Sequence, residues 1–169
     1  MPIIKESIAI IGEGITEREY FKSLKHSKKL PFKFKPDIPK HSDIKSIISK
    51  AVSLADSFDF VYCIIDLDRI LLNQKELEFY NRNKLKYQNI IFIESNPCFE
   101  IWLLLHFEFS TRTYNDCHSL IGILKKYIPD YEKSFNYLVN KDLYVLLISR
   151  IENAIQNSKK LENSDRANA

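Results

Sequence analysis

Two apolar runs without polar alternation, each ending in acidic residues, constrain this chain most. Ile8-Ala9-Ile10-Ile11 runs into Gly12-Glu13-Gly14-Ile15-Thr16-Glu17, and Phe60-Val61-Tyr62-Cys63-Ile64-Ile65 runs into Asp66-Leu67-Asp68. An unbroken apolar run is the pattern of a strand buried on both faces, as in parallel sheets covered by helices. In open α/β sheets the ligand site lies beyond the carboxyl ends of such strands. Glu13, Asp66 and Asp68 are therefore expected to converge on one crevice. Three hard oxygen donors form the ligand set of a Mg²⁺ site, with Mn²⁺ as the substitute, suited to phosphate chemistry.

The remaining pattern extends this reading. Ser7 to Ile11 is the first strand. Thr16 and Glu19 have capping-box spacing ahead of an apolar face of Tyr20, Phe21 and Leu24, predicting a helix from about Thr16 to Lys25. Phe32 to Ile38 alternates Phe and Lys between prolines and fits an edge strand. Ser42 or Asp43 can cap a helix carrying Ile44, Ile47, Ile48, Ala51, Leu54 and Ala55. Asp59 to Ile65 is a strand, Asn73 to Lys86 a surface helix, and Asn89 to Glu94 another strand. Ser95-Asn96-Pro97 then reads as a helix start, with the proline at the first helical position. Asp116 to Ile128 and Asp142 to Leu161 are helical. The order is β-α-β-α-β-α-β-α followed by further helices. It predicts an α/β fold with a mostly parallel central sheet and right-handed crossovers.

At 169 residues the chain fits one domain, with a core over about 1–110 and a helical extension over about 111–169. The hydrophobic share of 45% and aromatic share of 12% are those of a globular protein. No apolar stretch reaches the length of a membrane span, so no membrane partner is expected. Met1 to Glu6 lacks the basic region and cleavage site of a leader. Cys63, Cys98 and Cys117 are odd in number and form no zinc pattern, and a reduced, cytoplasmic protein follows as the simplest expectation. No GxGxxG, Walker or Gly-x-Ser-x-Gly motif is present, and none of the four histidines has a zinc partner at the usual spacing.

Each candidate residue has a plainer reading beside the functional one. Glu13 lies between two glycines that permit close approach and unusual dihedrals, yet it also sits before the positive end of a helix. Glu17 and Glu19 fit the helix-end reading, with Glu17 also close enough in sequence to join a metal site. Asp66 and Asp68, two apart, project to one side of an extended backbone and repel unless a cation neutralises them. Alternatively one of them merely caps the following segment. Glu100 falls on an apolar helical face near Leu103, Leu104 and Phe107. It either reaches the acidic crevice or pairs with an arginine such as Arg69 or Arg112. Lys22, Lys25, Lys28, Lys29, Lys33, Lys35 and Lys40 crowd one stretch with Phe32 and Phe34, and Lys28, Lys29, Lys33 and Lys35 are candidate nucleic-acid contacts. A solvated helix end followed by a lysine-guarded edge strand explains the same stretch. Lys133 and Arg112 are further candidates for phosphate contact.

These landmarks resemble a known pattern. Glutamate after the first strand and Asp-x-Asp after a later buried strand look like the Toprim domain of topoisomerases, primases and OLD-type nucleases. More narrowly, three blocks are similar to the RloB-like family: Gly12-Glu13-Gly14-x-Thr16-Glu17-x-x-Tyr20-Phe21, Asp66-x-Asp68, and Ser95-Asn96-Pro97-x-Phe99-Glu100-x-Trp102-Leu103-Leu104-x-His106-Phe107. The resemblance implies a Toprim-like fold holding Mg²⁺ through Asp66 and Asp68, with Glu13 as second-metal ligand or general acid/base. It also implies an association with restriction loci and phage defence, with a nucleic acid or a defence protein as partner. Family members often continue past the last helix with a further segment. Among Toprim activities a standalone nuclease acting on DNA or RNA fits, since neither a tyrosine-bearing domain nor a zinc module is seen. The rival is a non-catalytic binding module on the same fold.

Overall fold

The computed structural model describes residues 6–30, 33–37 and 43–167, the side chains of 33–37 and 164–167 excepted. Four parallel strands form the sheet: β1 (Ser7–Ile11), β2 (Lys33–Asp37), β3 (Phe60–Asp66) and β4 (Ile90–Ser95), in the order β2-β1-β3-β4. The central strands are the two with unbroken apolar runs. The proline-bearing strand is at an edge, where its missing N–H is tolerated. Phe32 and Ile38, the ends of the expected second strand, lie outside the described residues, as do Ser42 and Lys40.

Helices cover both faces. On one, α2 (Ile44–Ala55) presents Ile44, Ile47, Ile48, Ala51 and Leu54 to Ala9, Ile11, Val61, Cys63 and Ile65. The Asp43 side chain caps it, accepting from the Ser46 amide at 3.0 Å. Two helices lie beside it: α3 (Leu67–Leu72), which the sequence pattern did not reveal, and α4 (Gln74–Asn83), capped by Asn73.

The other face is covered by α1 (Ile15–Lys28), α5 (Glu100–Leu105) and the helices after them: α6 (Cys117–Leu124), α7 (Phe135–Asn140), α8 (Leu143–Leu147) and α9 (Ile151–Ala167). A short 3-10 turn, Ile148–Arg150, joins the last two. Leu120, Leu124, Tyr131, Leu138, Leu143 and Leu147 pack in one cluster with Tyr20, Ile64, Phe99, Leu103 and Leu104. The residues after 110 are thus half of a core and not an appendage to one. Each fully buried Leu or Ile there contributes about 1.5–3 kcal/mol.

Two helix starts differ from the sequence reading. The N-cap of α1 is Gly14, and Thr16 is buried in its first turn instead of capping it. Helix α5 starts at Glu100, not at Pro97, because residues 96–99 form a loop that gives its polar groups to the end of β3 and the start of α3.

Candidate functional site

The carboxyl ends of β1 and β3 are neighbours in the sheet, Ile11 pairing with Cys63. This register brings Glu13, just past β1, to Asp66, the last residue of β3. The Glu13 Oε2 accepts a hydrogen bond from the Asp66 amide at 3.1 Å. Asp66 Oδ1 in turn accepts from the Phe99 amide at 2.9 Å, and the Asp68 amide donates to the Pro97 carbonyl at 3.4 Å. The β4–α5 loop therefore grips the Asp66–Asp68 segment from two directions.

Asp68 differs from expectation. Leu67 already begins α3, so the two aspartates do not stand side by side on extended backbone. Asp66 is the half-buried strand terminus, and Asp68 lies in the first helical turn with its Oδ1 turned to the Arg69 amide at 2.6 Å. Its charge is felt at Glu13, where it raises the pKa. Arg69 Nη1 lies 3.6 Å from Glu13 Oε1.

The more consequential acid is Glu17. Its position in the first turn of α1 suits the helix dipole, yet it is only 1% exposed and its Oε2 has no hydrogen-bond partner. Gly12 makes this possible: a Cβ there would stand 2.5 Å from the Glu17 Cβ. The glycines serve close approach, while no glycine has positive φ, so the expected unusual dihedrals are absent among the described residues. Glu19, by contrast, is an ordinary surface acid, its pKa lowered by Lys22 and Arg18, which outweigh its partial burial.

Glu100 is a further buried acid whose charge is felt at Asp66 and Glu17. It is fully buried and accepts from Thr16 Oγ1 at 3.2 Å and Tyr131 Oη at 2.8 Å. It pairs with a cation, but the partner is Lys133 at 3.1 Å, not Arg69 or Arg112. Arg112 instead stacks over Tyr114. Burial disfavours the Lys133 charge, but Glu100, followed by Asp66 and Glu17, outweighs burial and raises its pKa. Tyr131 went unread in the sequence, and Lys133 was a candidate there without its partner, since only tertiary packing brings them 31 and 33 residues back to Glu100.

The electrostatics follow from burial and crowding. Burial, then Glu17, Glu13 and Glu100, push Asp66 up to about 8 against the pull of Lys133. Burial, then Glu100 and Glu13, push Glu17 up to about 7 against its own amide and Lys133. Burial also raises Glu13, against the Asp66 amide and Arg69. Three carboxyls that resist ionisation together are a site short of positive charge.

The donors do not close into a single shell. Among the described residues, the metal-ligand atoms within 4.8 Å of one another belong to Cys98, Glu100 and Cys117, not to Glu13, Asp66 and Asp68. That closer group is not set up for a cation, because Cys98 and Cys117 form a disulfide and Glu100 already holds Lys133. The disulfide also corrects the expectation of three reduced cysteines. A separation of 19 residues carries no motif, but the packing of α6 against α5 brings the two Cα atoms to 5.6 Å. Cys63 alone is free, buried in β3.

The lysine-rich stretch lies elsewhere. Helix α1 starts at the carboxyl edge of the sheet and ends with Lys28 and the left-handed Lys29, both exposed. Fourteen helical residues span about 21 Å. Lys33 begins β2 opposite Ser7, at the amino end, and Lys35 pairs with Ala9. For Lys33 and Lys35 only the backbone is described. Lys28, Lys29 and Lys33 are thus at the opposite edge of the sheet from Glu13 and Asp66.

Among the described residues no helix is long and apolar enough to cross a membrane. No curated protein and no solved structure matches the chain. A family model does: that of the RloB-like protein, over residues 8–169, so the chain belongs to the RloB-like family.

Proposed function

We propose that this chain is a Toprim-type, Mg²⁺-dependent phosphodiesterase that hydrolyses DNA or RNA in defence against phage. The observation that carries the reading is the buried Glu17 Oε2 with no partner, facing a cluster whose Asp66 is pushed up to about 8 by burial and by Glu17. An orphaned buried carboxylate oxygen is costly unless a cation or a proton meets it. An all-carboxylate donor set suits Mg²⁺ or Mn²⁺ and no softer metal.

Glu17 and Asp66 would hold the ion, with Glu13 beside it and Asp68 at the margin. One oxygen each of Glu13 and Asp66 is committed to a backbone amide, which fixes the carboxyl planes; the other Asp66 oxygen is left for the ion, while Glu13 Oε1 lies toward Arg69. Mutual repulsion of uncompensated carboxylates accounts for their spread beyond one coordination shell. When bound, the metal supplies charge stabilisation at the attacking and leaving oxygens of the phosphodiester. Glu13, with its raised pKa and its place at the rim, can take the proton of an attacking water. Lys133, with its side chain 37% exposed, and Arg69 offer cationic contacts for the scissile phosphate. Glu100 positions Lys133 and is not itself a ligand, since hydroxyls and the ammonium occupy it.

One placement favours the rival binding module: Lys28 and Lys29 lie about 21 Å along α1 from the carboxylates. A duplex touching both would have to span about six nucleotide steps. The test is cleavage of single- and double-stranded DNA and RNA in Mg²⁺ and Mn²⁺. Loss of cutting in EDTA and in Asp66→Ala is the expected result. Cutting that persists in Asp66→Ala refutes the assigned site. Binding without cutting, with a metal bound, favours the module.

A further inference from the structure

The bond between Cys98 and Cys117 joins two parts of the molecule that matter to each other. Cys98 lies in the 96–99 loop, between Pro97, whose carbonyl receives the Asp68 amide, and Phe99, whose amide donates to Asp66. Cys117 is the first residue of α6. The bridge therefore fastens the loop that grips the acidic segment to a helix on the covering face. The two sulfurs differ in access: Cys98 is 1% exposed, while Cys117 is half-buried. The Lys133–Glu100 ion pair borders the Cys117 sulfur, with Nζ at 3.6 Å and the Glu100 Oε2 at 3.3 Å, so access and not local charge makes Cys117 the sulfur open to attack.

We propose that Cys98–Cys117 is a reversible thiol–disulfide site, exchanged by a low-molecular-weight thiol, whose state sets how firmly the 96–99 loop holds Asp66 and Asp68. In the reducing direction a small-molecule thiolate attacks the Cys117 sulfur. The protein S–S bond breaks, and the Cys98 sulfur leaves as a thiolate that takes a proton from water. A second small thiolate attacks the small-molecule sulfur of the mixed disulfide, releasing Cys117 and a small-molecule disulfide. Two electrons pass from two small thiols to the protein, and the reverse sequence oxidises it. In the bonded state the loop cannot leave α6. In the reduced state only its hydrogen bonds and packing retain it.

The full chain is equilibrated in glutathione buffers of graded redox ratio and then alkylated, and labelled cysteines are located by mass spectrometry. Exchange of the Phe99 amide with solvent deuterium is followed by NMR in the two end states. Cys98 and Cys117 should pass together between unlabelled and labelled while far-UV circular dichroism stays constant. Buried Cys63 should stay unlabelled throughout. The Phe99 amide should exchange on the order of 100-fold faster when reduced, the effect of opening a loop of about this length. The Ala9 amide should not change. Cys117→Ser should show the fast exchange in every buffer. A pair that stays unbonded at all ratios, or bonds only after denaturation, overturns the proposal. So does a Phe99 amide that exchanges equally in both states. Mn²⁺ affinity in the two states is a separate arm: absence of binding in both contradicts the metal reading and leaves the redox result standing.

Discussion

Glu17 and Glu100 are both buried carboxylates on apolar surroundings, and their fates should diverge. Glu100 is satisfied by Thr16, Tyr131 and Lys133, whereas Glu17 keeps an oxygen without a partner. Glu17→Gln should therefore stabilise the metal-free protein above neutral pH, by removing a charge that burial opposes, and should weaken divalent-cation binding. Glu100→Gln should cost about 1–3 kcal/mol, since the partly exposed Lys133 can turn to water but two hydroxyls lose a charged acceptor. Its cation affinity should fall no more than about 10- to 100-fold, the range of a residue that acts on a site without ligating it, and less than that of Glu17→Gln. Thermal denaturation and calorimetric titration of the two variants check both statements; equal behaviour would refute the distinction.

The same residues set the pH dependence. Glu17 and Asp66 are raised in the folded state to about 7 and about 8. Groups raised on folding contribute stability below their unfolded values that is lost as pH rises through the folded ones. The metal-free protein should thus lose stability progressively from about pH 4 to about pH 8 and level off above that, and Mn²⁺ should restore more at the upper end. Buried His106, lowered by burial, works the other way but only below about pH 6.5. Melting temperatures across this range, with and without Mn²⁺, decide it, and a flat metal-free profile would contradict the assigned shifts.

The β1–α1 junction is the element on which the site turns. Gly12 lets the first turn of α1 close on the strand end, and a Cβ there would meet the Glu17 Cβ at 2.5 Å. Gly12→Ala should push α1 outward, lowering stability by about 1–3 kcal/mol and displacing Glu17 from the cluster. Wild-type cation affinity in that variant would show that the close approach is dispensable. The Gly-Glu-Gly turn was legible in the sequence because it follows an unbroken apolar run, and so were the strands and Asp43-capped α2. Helix α3 was not, since Leu67 to Leu72 is too short to show a period. The cap of α1 was misread at Thr16 because its hydroxyl answers to Glu100, 84 residues away, and no local pattern records that partner.

Across the whole molecule, the covering layer after residue 110 supplies both core and chemistry. Tyr131, Lys133 and Cys117 all come from it, and Tyr20, Phe99 and Leu103 pack beneath it. A chain ending at Ser110 should therefore bind hydrophobic dyes and lose its near-UV circular dichroism, as a loosely packed state does. A sharp, cooperative transition in that fragment would restore the division into core and extension. Sequence periodicity foresaw helices here but not their role, because amphipathic stripes show that a face is buried without showing against what. The parallel pairing was legible for the opposite reason, since buried apolar strands joined by helices imply it, whereas the strand order β2-β1-β3-β4 was not.

The most direct test of the proposed metal centre is a titration of Mn²⁺ by electron paramagnetic resonance, comparing wild type with Asp66→Asn near neutral pH. Wild type should bind Mn²⁺ and release protons on doing so, because Asp66 and Glu17 are held partly protonated by their surroundings. Asp66→Asn should bind at least about 100-fold more weakly with its fold intact. Equal affinity in the two proteins, or no Mn²⁺ bound by wild type at all, would contradict a metal centre at the carboxyl edge of the sheet.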